Sequence, residues 1–381
     1  MCAMSDTRFL RLALRLARRG YGTTSPNPMV GAVLVKGGKI IGRGWHRQAG
    51  GPHAEIEALR DAQKRGHSPR GATLYVTLEP CCTHGRTPPC TEAILAAGLR
   101  RVVAGATDPN PAHAGRGFKI LARAGLTVVR AEAGLAAECA RLNEAFNHWI
   151  VCRTPFVTVK AAMTLDGKIA TAAGESKWIT GPAARAVGMT LRQGSDAILV
   201  GVNTILTDDP GLTFRPADGT RAAPPRLRRL VLDTRARTPL TARVVSDEHA
   251  ALTTIVVGRT APPKRVAALA KRVNVLVAPE RKSPGAKVAP QLDLRWLLKR
   301  LGAEAVTRLL VEGGGEVNAS FLLGGFAQRV AFFYAPKILG GRAAHKAVAG
   351  DGAKSLAAVV TLAEVAWQKV GDDLLLTARV G

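Results

Sequence analysis

Short apolar runs alternate with stretches of helical periodicity along most of the chain. This alternation constrains the fold more than any other feature, because strands separated by helices assemble into sheets covered by helices on both faces. An apolar run over 29–35 ends at Lys36-Gly37-Gly38 and resumes at Ile40, which predicts a hairpin joined by glycines. Helix is then predicted over 53–65, strand over 73–78, helix over 91–97, strand over 101–106, helix over 117–123 and strand over 126–129. The order implies a mainly parallel sheet of α/β class. A helical stretch at 135–150 runs into Arg153-Thr154-Pro155, where proline disfavours helix in the residue before it, and a new strand starts over 156–160. A domain boundary is expected there, giving domains 1–152 and 153–381, since 381 residues are too many for one ordinary core. Further strands are predicted near 197–200, 230–232, 254–257, 273–277, 309–311 and 330–334. The Pro-, Gly- and cation-rich stretches 215–229 and 279–290 read as surface loops. No internal repeat relates the halves.

Within the first half, His53-Ala54-Glu55 is followed by Glu79-Pro80-Cys81 and then Cys90. One imidazole and two thiolates suit a zinc ion that keeps a fourth position for water. His53 follows Gly50-Gly51-Pro52 and should open a helix, and Cys90 also precedes one, so helix N-termini would favour the negative charge of a thiolate. Many zinc deaminases share this pattern, with the histidine and two cysteines on the metal and a glutamate two residues past the histidine moving protons. The assignment is therefore His53, Cys81 and Cys90 as ligands and Glu55 as acid-base. Here eight residues lie between the cysteines where the common pattern has two, and Cys82 stands as the alternative to Cys81. A closed knot drawing on His53 and His84 as well, with no catalysis, is the other reading of the same residues.

The remaining cysteines, Cys2, Cys139 and Cys152, do not form the even framework of a secreted disulfide protein. The net charge of +26, from 54 Lys and Arg against 28 Asp and Glu, attracts phosphate on nucleic acid or on a metabolite. The cations are spread out, with only short groups such as Arg226, Arg228 and Arg229, so nucleic acid is not the expected partner. Near the N-terminus Arg8, Arg11, Arg15 and Arg18 recur at helical spacing, with Leu10, Ala13, Leu14 and Ala17 on other faces, which reads as a surface helix. No stretch nears the roughly 18 apolar residues of a membrane span. The cytosol is the expected address.

The second half has no Gly-x-Gly-x-x-Gly after a strand, which argues against a Rossmann dinucleotide fold. Instead Leu309-Leu310-Val311-Glu312-Gly313-Gly314-Gly315 places glycines between a strand and a helix, where backbone N–H groups can meet a phosphate. Glycines there can equally serve a tight turn.

Pro26-Asn27-Pro28-Met29-Val30-Gly31, Gly44-Trp45-His46, His53-Ala54-Glu55 and Glu79-Pro80-Cys81, with Gly85-Arg86-Thr87-Pro88-Pro89-Cys90, resemble the bifunctional riboflavin-biosynthesis deaminase-reductase family. The resemblance continues through Lys160, Leu165-Asp166-Gly167-Lys168, Gly174-Glu175-Ser176-Lys177-Trp178-Ile179-Thr180, Val202-Asn203-Thr204, Asp208-Asp209-Pro210 and Val311-Glu312-Gly313-Gly314. It implies a cytidine-deaminase-like three-layer α/β/α domain followed by a dihydrofolate-reductase-like α/β domain. It also implies Zn2+ and NADPH as cofactors. The substrate would be a phosphorylated pyrimidine nucleotide-like compound, deaminated first and then reduced from ribosyl to ribityl, by an oligomer that dimerises through the reductase half. In the first domain the resemblance places Asn27, His46 and Arg86 on the substrate. In the second it places Ala162, Trp178, Thr204, Asp208, Thr234 and the stretch Gly314, Gly315, Glu316, Val317, Asn318, Ala319, Ser320 on NADPH. Ser176, Arg192, Leu212, Arg215 and Glu312 would hold the reductase substrate, with Arg192 and Arg215 on its phosphate and Lys160 and Glu312 as the ionisable groups beside the opened sugar. From the residues alone, Asn27 and His46 could serve turns and hairpin packing, Trp178 could fill a core, and the arginines could be surface groups.

Overall fold

The computed structural model describes residues 3–84, 88–215, 227–281 and 291–381, so Cys2 and Arg86 lie outside the described residues, as do most of the loops expected at 215–229 and 279–290. The chain divides into two compact units, Met1–Arg153 and Thr154–Gly381.

The first unit runs α1 (Ala3–Ala17), β1 (Gly31–Lys36), β2 (Lys39–Trp45), α2 (Ala54–Lys64), β3 (Thr73–Leu78), α3 (Cys90–Ala96), β4 (Arg101–Ala106), α4 (Arg116–Arg123), β5 (Thr127–Arg130), α5 (Ala133–Leu142) and α6 (Glu144–Cys152). Its sheet has the order β2-β1-β3-β4-β5. Alternation along β1 sends Ala32 and Leu34 to one face, against Ala58 and Ala62 of α2, Ile94 of α3 and Leu121 of α4. Val33 and Val35 go to the other face, against Leu10, Ala13 and Leu14 of α1 and Leu135 and Cys139 of α5. The result is three layers, and α1 carries its arginines on the face turned away from the sheet.

Two sequence expectations are modified here. The sheet is evenly split rather than mainly parallel: β1 runs antiparallel to both neighbours, and only the β3-β4 and β4-β5 ladders are parallel. The tight turn at Gly37 and Gly38, both at positive φ, leaves β2 no route but back along β1. The helix expected over 135–150 breaks into two at Asn143, whose buried amide accepts from Met29 N–H at 2.8 Å and donates to Met29 C=O at 2.9 Å.

The second unit begins with β6 (Phe156–Thr164), short β7 (Lys168–Ala170), α7 (Pro182–Gln193), β8 (Ala197–Gly201), α8 (Val202–Asp208), β9 (Arg228–Leu232), α9 (Arg243–Ser246), β10 (Thr253–Gly258), α10 (Pro263–Ala270) and β11 (Asn274–Ala278). It continues with the small pair β12 (Glu280–Arg281) and β13 (Gln291–Leu292), then α11 (Leu294–Ala303), β14 (Arg308–Val311), α12 (Gly315–Leu322), β15 (Arg329–Ala335), β16 (His345–Lys346), β17 (Leu362–Val370) and β18 (Asp373–Val380). The nine-stranded sheet is ordered β11-β10-β9-β8-β14-β6-β15-β18-β17. Ladders from β11 to β15 are parallel, and β18 and β17 close the edge antiparallel. Leu199, Leu230, Val256 and Leu309 pack on α11 and α12 on one face, while Ile198, Val231 and Ile255 pack on the other. The closing hairpin carries no helix between its strands, so the alternation that marked the rest of the fold does not reveal it.

Candidate active sites

In the first unit, β3 ends at Leu78 and the chain turns through Glu79-Pro80-Cys81, while His53 caps α2 and Cys90 opens α3. The buried Glu79 carboxylate anchors this corner, accepting the backbone N–H groups of Asp108, Gly115 and Gly117 at 3.2, 2.9 and 2.9 Å. His53 Nδ1 lies 3.3 Å from Cys90 Sγ and 3.5 Å from Cys81 Sγ, and the three donor atoms all fall within 4.8 Å of one another. Ligands at zinc's usual 2.0 to 2.3 Å in a tetrahedron stand roughly 3.5 to 3.8 Å apart, so the set fits that ion. The eight residues between the cysteines do not part them, because Cys90 N–H donates to Cys81 Sγ and Thr91 N–H to Cys81 C=O.

Charge behaviour points the same way. The Cys90 hydrogen bond, against opposing burial, holds the Cys81 thiol down at about 4, while Cys90 is pushed up by its bond to Cys81 and by burial. His53 is raised, chiefly by its bond to Cys81. Glu55, 3 % exposed beside these groups, is pushed up to about 7, first by burial and then by the Cys81 charge.

Cys82 turns away: its Sγ lies 3.5 Å from His113 Nδ1, and the ligand group contains Cys81 instead. His84 is exposed and faces Glu92 at 3.7 Å. Asn27 and His46 meet, with Asn27 Nδ2 at 3.2 Å from His46 Nε2, and the His46 ring stands edge-on to His53 with centroids 5.6 Å apart. His46 Nδ1 lies 2.9 Å from Pro52 C=O, and burial lowers its pKa, so the neutral ring donates there and accepts from Asn27.

The second unit holds a cavity of about 1070 Å³, lined among others by Lys160, Ser176, Trp178, Arg192, Leu212 and Glu312. Ala162, Thr204, Asp208, Arg215 and Gly314 to Val317 line it as well. Thr234 does not line it; this residue follows β9 and its C=O accepts Gly258 N–H at 3.0 Å. Asn318, Ala319 and Ser320 belong to the body of α12, where Asn318 Nδ2 donates to Ala347 C=O and Ser320 Oγ to Glu316 C=O. Trp178 is 67 % exposed with the Arg185 guanidinium 4.7 Å from its ring, so core filling does not account for it.

Glu312, at the end of β14, is gripped by Arg192 through Nε and Nη2 at 2.8 and 2.9 Å, and Lys160 Nζ stands 3.6 Å away. Burial alone would raise this carboxyl, but Lys160 and Arg192 more than offset it and hold it at about 2. Beyond it a Cβ on Gly313 would meet Val317 at 2.5 Å and one on Gly315 would meet the Lys346 carbonyl at 2.3 Å, whereas Gly314 faces open space at the start of α12. Such a bare turn at a helix N-terminus fits a dinucleotide phosphate, and the volume exceeds a usual single-ligand pocket. The segment 345–350, which the sequence pattern did not single out, backs this turn: Ala349 N–H donates to Gly315 C=O at 3.1 Å.

These two units define a zinc-dependent deaminase joined to a reductase of the dihydrofolate reductase kind. Residues 3–106 match the cytidine and deoxycytidylate deaminase zinc-binding region, and residues 155–376 match the RibD C-terminal domain. The riboflavin biosynthesis protein RibD of Actinobacillus pleuropneumoniae is 41% identical over 373 residues, covering 98% of this chain and 95% of that one. Among solved structures, RibD of Acinetobacter baumannii superposes with a TM-score of 0.84 at 33% identity, covering 100% of both chains. A Thermotoga maritima diaminohydroxyphosphoribosylaminopyrimidine deaminase/5-amino-6-(5-phosphoribosylamino)uracil reductase gives 0.80 at 33% identity, covering 100% of this chain and 99% of that one. The chain belongs to the RibD family of riboflavin biosynthesis, whose members are bifunctional deaminase-reductases with zinc and NADPH as cofactors. Among the described residues no helix is long and apolar enough to cross a membrane.

Proposed function

We propose that residues 1–152 hydrolytically deaminate 2,5-diamino-6-(5-phosphoribosylamino)pyrimidin-4(3H)-one, and that residues 153–381 then reduce 5-amino-6-(5-phosphoribosylamino)uracil to its ribityl form in the cytosol. The observation that carries the reading is the three-donor cluster of His53, Cys81 and Cys90 with a buried carboxyl beside it. Zinc, when bound there, supplies Lewis-acid activation of water. Glu55, buried beside the three donors, takes a proton from water and passes it to the departing amine. Asn27 has one amide hydrogen on His46, which leaves its Oδ1 as an acceptor for the pyrimidine. Arg86 is assigned to this substrate by family resemblance alone.

In the second unit NADPH supplies the hydride. Glu312 stays ionised at neutral pH, so it orients and accepts hydrogen bonds rather than donating a proton. Lys160, which lines the same cavity, polarises the opened sugar and protonates it at its oxygen. Arg192, already forked onto Glu312, positions that carboxylate, and its Nη1 holds the Thr213 carbonyl. Ser176 and Leu212 complete the substrate wall, while Ala162, Trp178, Thr204, Asp208 and the 314–317 turn line the cofactor space. Assembly through the reductase unit is supported by β17, an exposed edge strand that presents Val365 and Trp367; light scattering checks it, with a monomer as the refuting result. The function is tested by incubating purified protein with the diaminopyrimidinone ribosyl phosphate, with and without NADPH. Ammonia release in both cases and NADPH loss only after deamination are expected, and NADPH loss with no ammonia would refute the order.

A further inference from the structure

The cations around the reductase cavity differ in whether their charge is already answered. Lys160 and Arg192 face Glu312, while Lys177 and Arg185 donate to the carbonyls of Asp208 and Thr180. Arg243 also lines the cavity, yet its exposed side chain has no ion pair or hydrogen bond among the described residues. Its backbone is nonetheless fixed. Its backbone N–H donates to Asp209 Oδ1 at 2.9 Å, and the next residues, Val244 and Val245, are locked in the core with Leu212. The guanidinium lies over Gly211, with Nη2 3.5 Å from where a Cβ would stand.

The loop beneath it is over-determined. Asp209 and Leu212 both sit at positive φ, 41° and 49°, a sparsely populated state that persists only where the surroundings enforce it and that gathers at ligand sites. The surroundings here are two arginines, one half-buried and one fully buried. Arg192 donates to Thr213 C=O, and Arg229, 1 % exposed, donates to Gly211 C=O at 3.0 Å and to Val244 C=O at 3.1 Å while forked onto Asp247. Arg229 thus ties the loop to the helix that carries Arg243. The loop ends at Arg215, a second cavity-lining guanidinium without a partner among the described residues.

We propose that Arg243 is a second phosphate-gripping guanidinium of the reductase site, acting with Arg215 on the terminal phosphate of the sugar substrate. A planar fork lying over a bare glycine and lining a cavity matches the bidentate geometry of phosphate recognition. The proposal rests on the reading that this substrate carries a sugar phosphate, and it adds a residue which family resemblance did not assign.

The test compares wild type, Arg243→Ala and Arg243→Lys in the full zinc-loaded chain, on the deaminated ribosyl phosphate and on its dephosphorylated counterpart. In the alanine variant KM for the phosphorylated compound should rise roughly 10- to 100-fold. The lysine variant should lose less, KM for the dephosphorylated compound should hold, and kcat should stay within about threefold. NADPH affinity, read by calorimetry, should not change, while ammonia release and melting temperature report that the variants are folded. An equal loss on both compounds, a weakened NADPH affinity in place of the KM effect, or no change at all overturns the proposal. Calorimetric titration with ribose 5-phosphate separates this from the functional reading. Binding that depends on Arg243 in a wild type unable to reduce the substrate sinks the substrate reading alone, and binding indifferent to Arg243 sinks the proposal alone.

Discussion

Glu312→Gln removes the carboxylate that answers two half-buried cations, Arg192 and Lys160, while keeping the side chain's shape. The carboxyl is held at about 2 against an ordinary value of 4.5, which corresponds to about 3 kcal/mol of stability at neutral pH. Leaving Arg192 and Lys160 without that charge is of the same order, since breaking a buried pair from one side costs about 3 to 5 kcal/mol. For a unit of this size the reductase transition should fall by roughly 6 to 12 °C. The sign of the pH dependence follows from a depressed folded-state pKa. The contribution is fully present above the unfolded value of 4.5 and is lost as pH falls through about 2, so the gap between wild type and variant shrinks to about 1.4 kcal/mol near pH 3. Differential scanning calorimetry of both proteins at neutral pH and near pH 3 measures this. A variant melting within about 2 °C of wild type at neutral pH, or a gap that does not narrow in acid, would refute the argument.

Glu55→Gln should retain zinc by elemental analysis yet lose ammonia release by about 10²- to 10⁴-fold, while reduction of supplied deaminated substrate continues; retained ammonia release would defeat the assignment. Chelation should abolish ammonia release and spare the reductase, with activity restored by added zinc, and a reductase that fails alongside would show that the metal serves both steps. Asn143→Ala leaves the Met29 N–H and C=O without their side-chain partner in a buried site, so the deaminase unit should lose about 2 to 4 kcal/mol in denaturant unfolding, and an unchanged midpoint would show that the bonds are dispensable.

His53, Cys90 and a cysteine of the 81–82 pair could be read as a donor set from residue types and order alone, because the donors that make a catalytic zinc site are chemically rare and sit at strand ends and helix starts that periodicity reveals. Helix and strand alternation likewise carried the two α/β units, since it depends on local period. The choice between Cys81 and Cys82 is a different matter. Adjacent residues point in different directions, and only the folded corner shows one sulfur on His53 and the other against His113. The β17-β18 hairpin and the break at Asn143 depended on partners far along the chain, to which local pattern is blind. For Arg192, Arg229 and Arg243 the sequence offered three similar cations. Which is forked onto Glu312, which is buried on Asp247 and which lies over Gly211 with no partner among the described residues was decided by tertiary packing, because a guanidinium's role is set by the acceptors brought within reach of it.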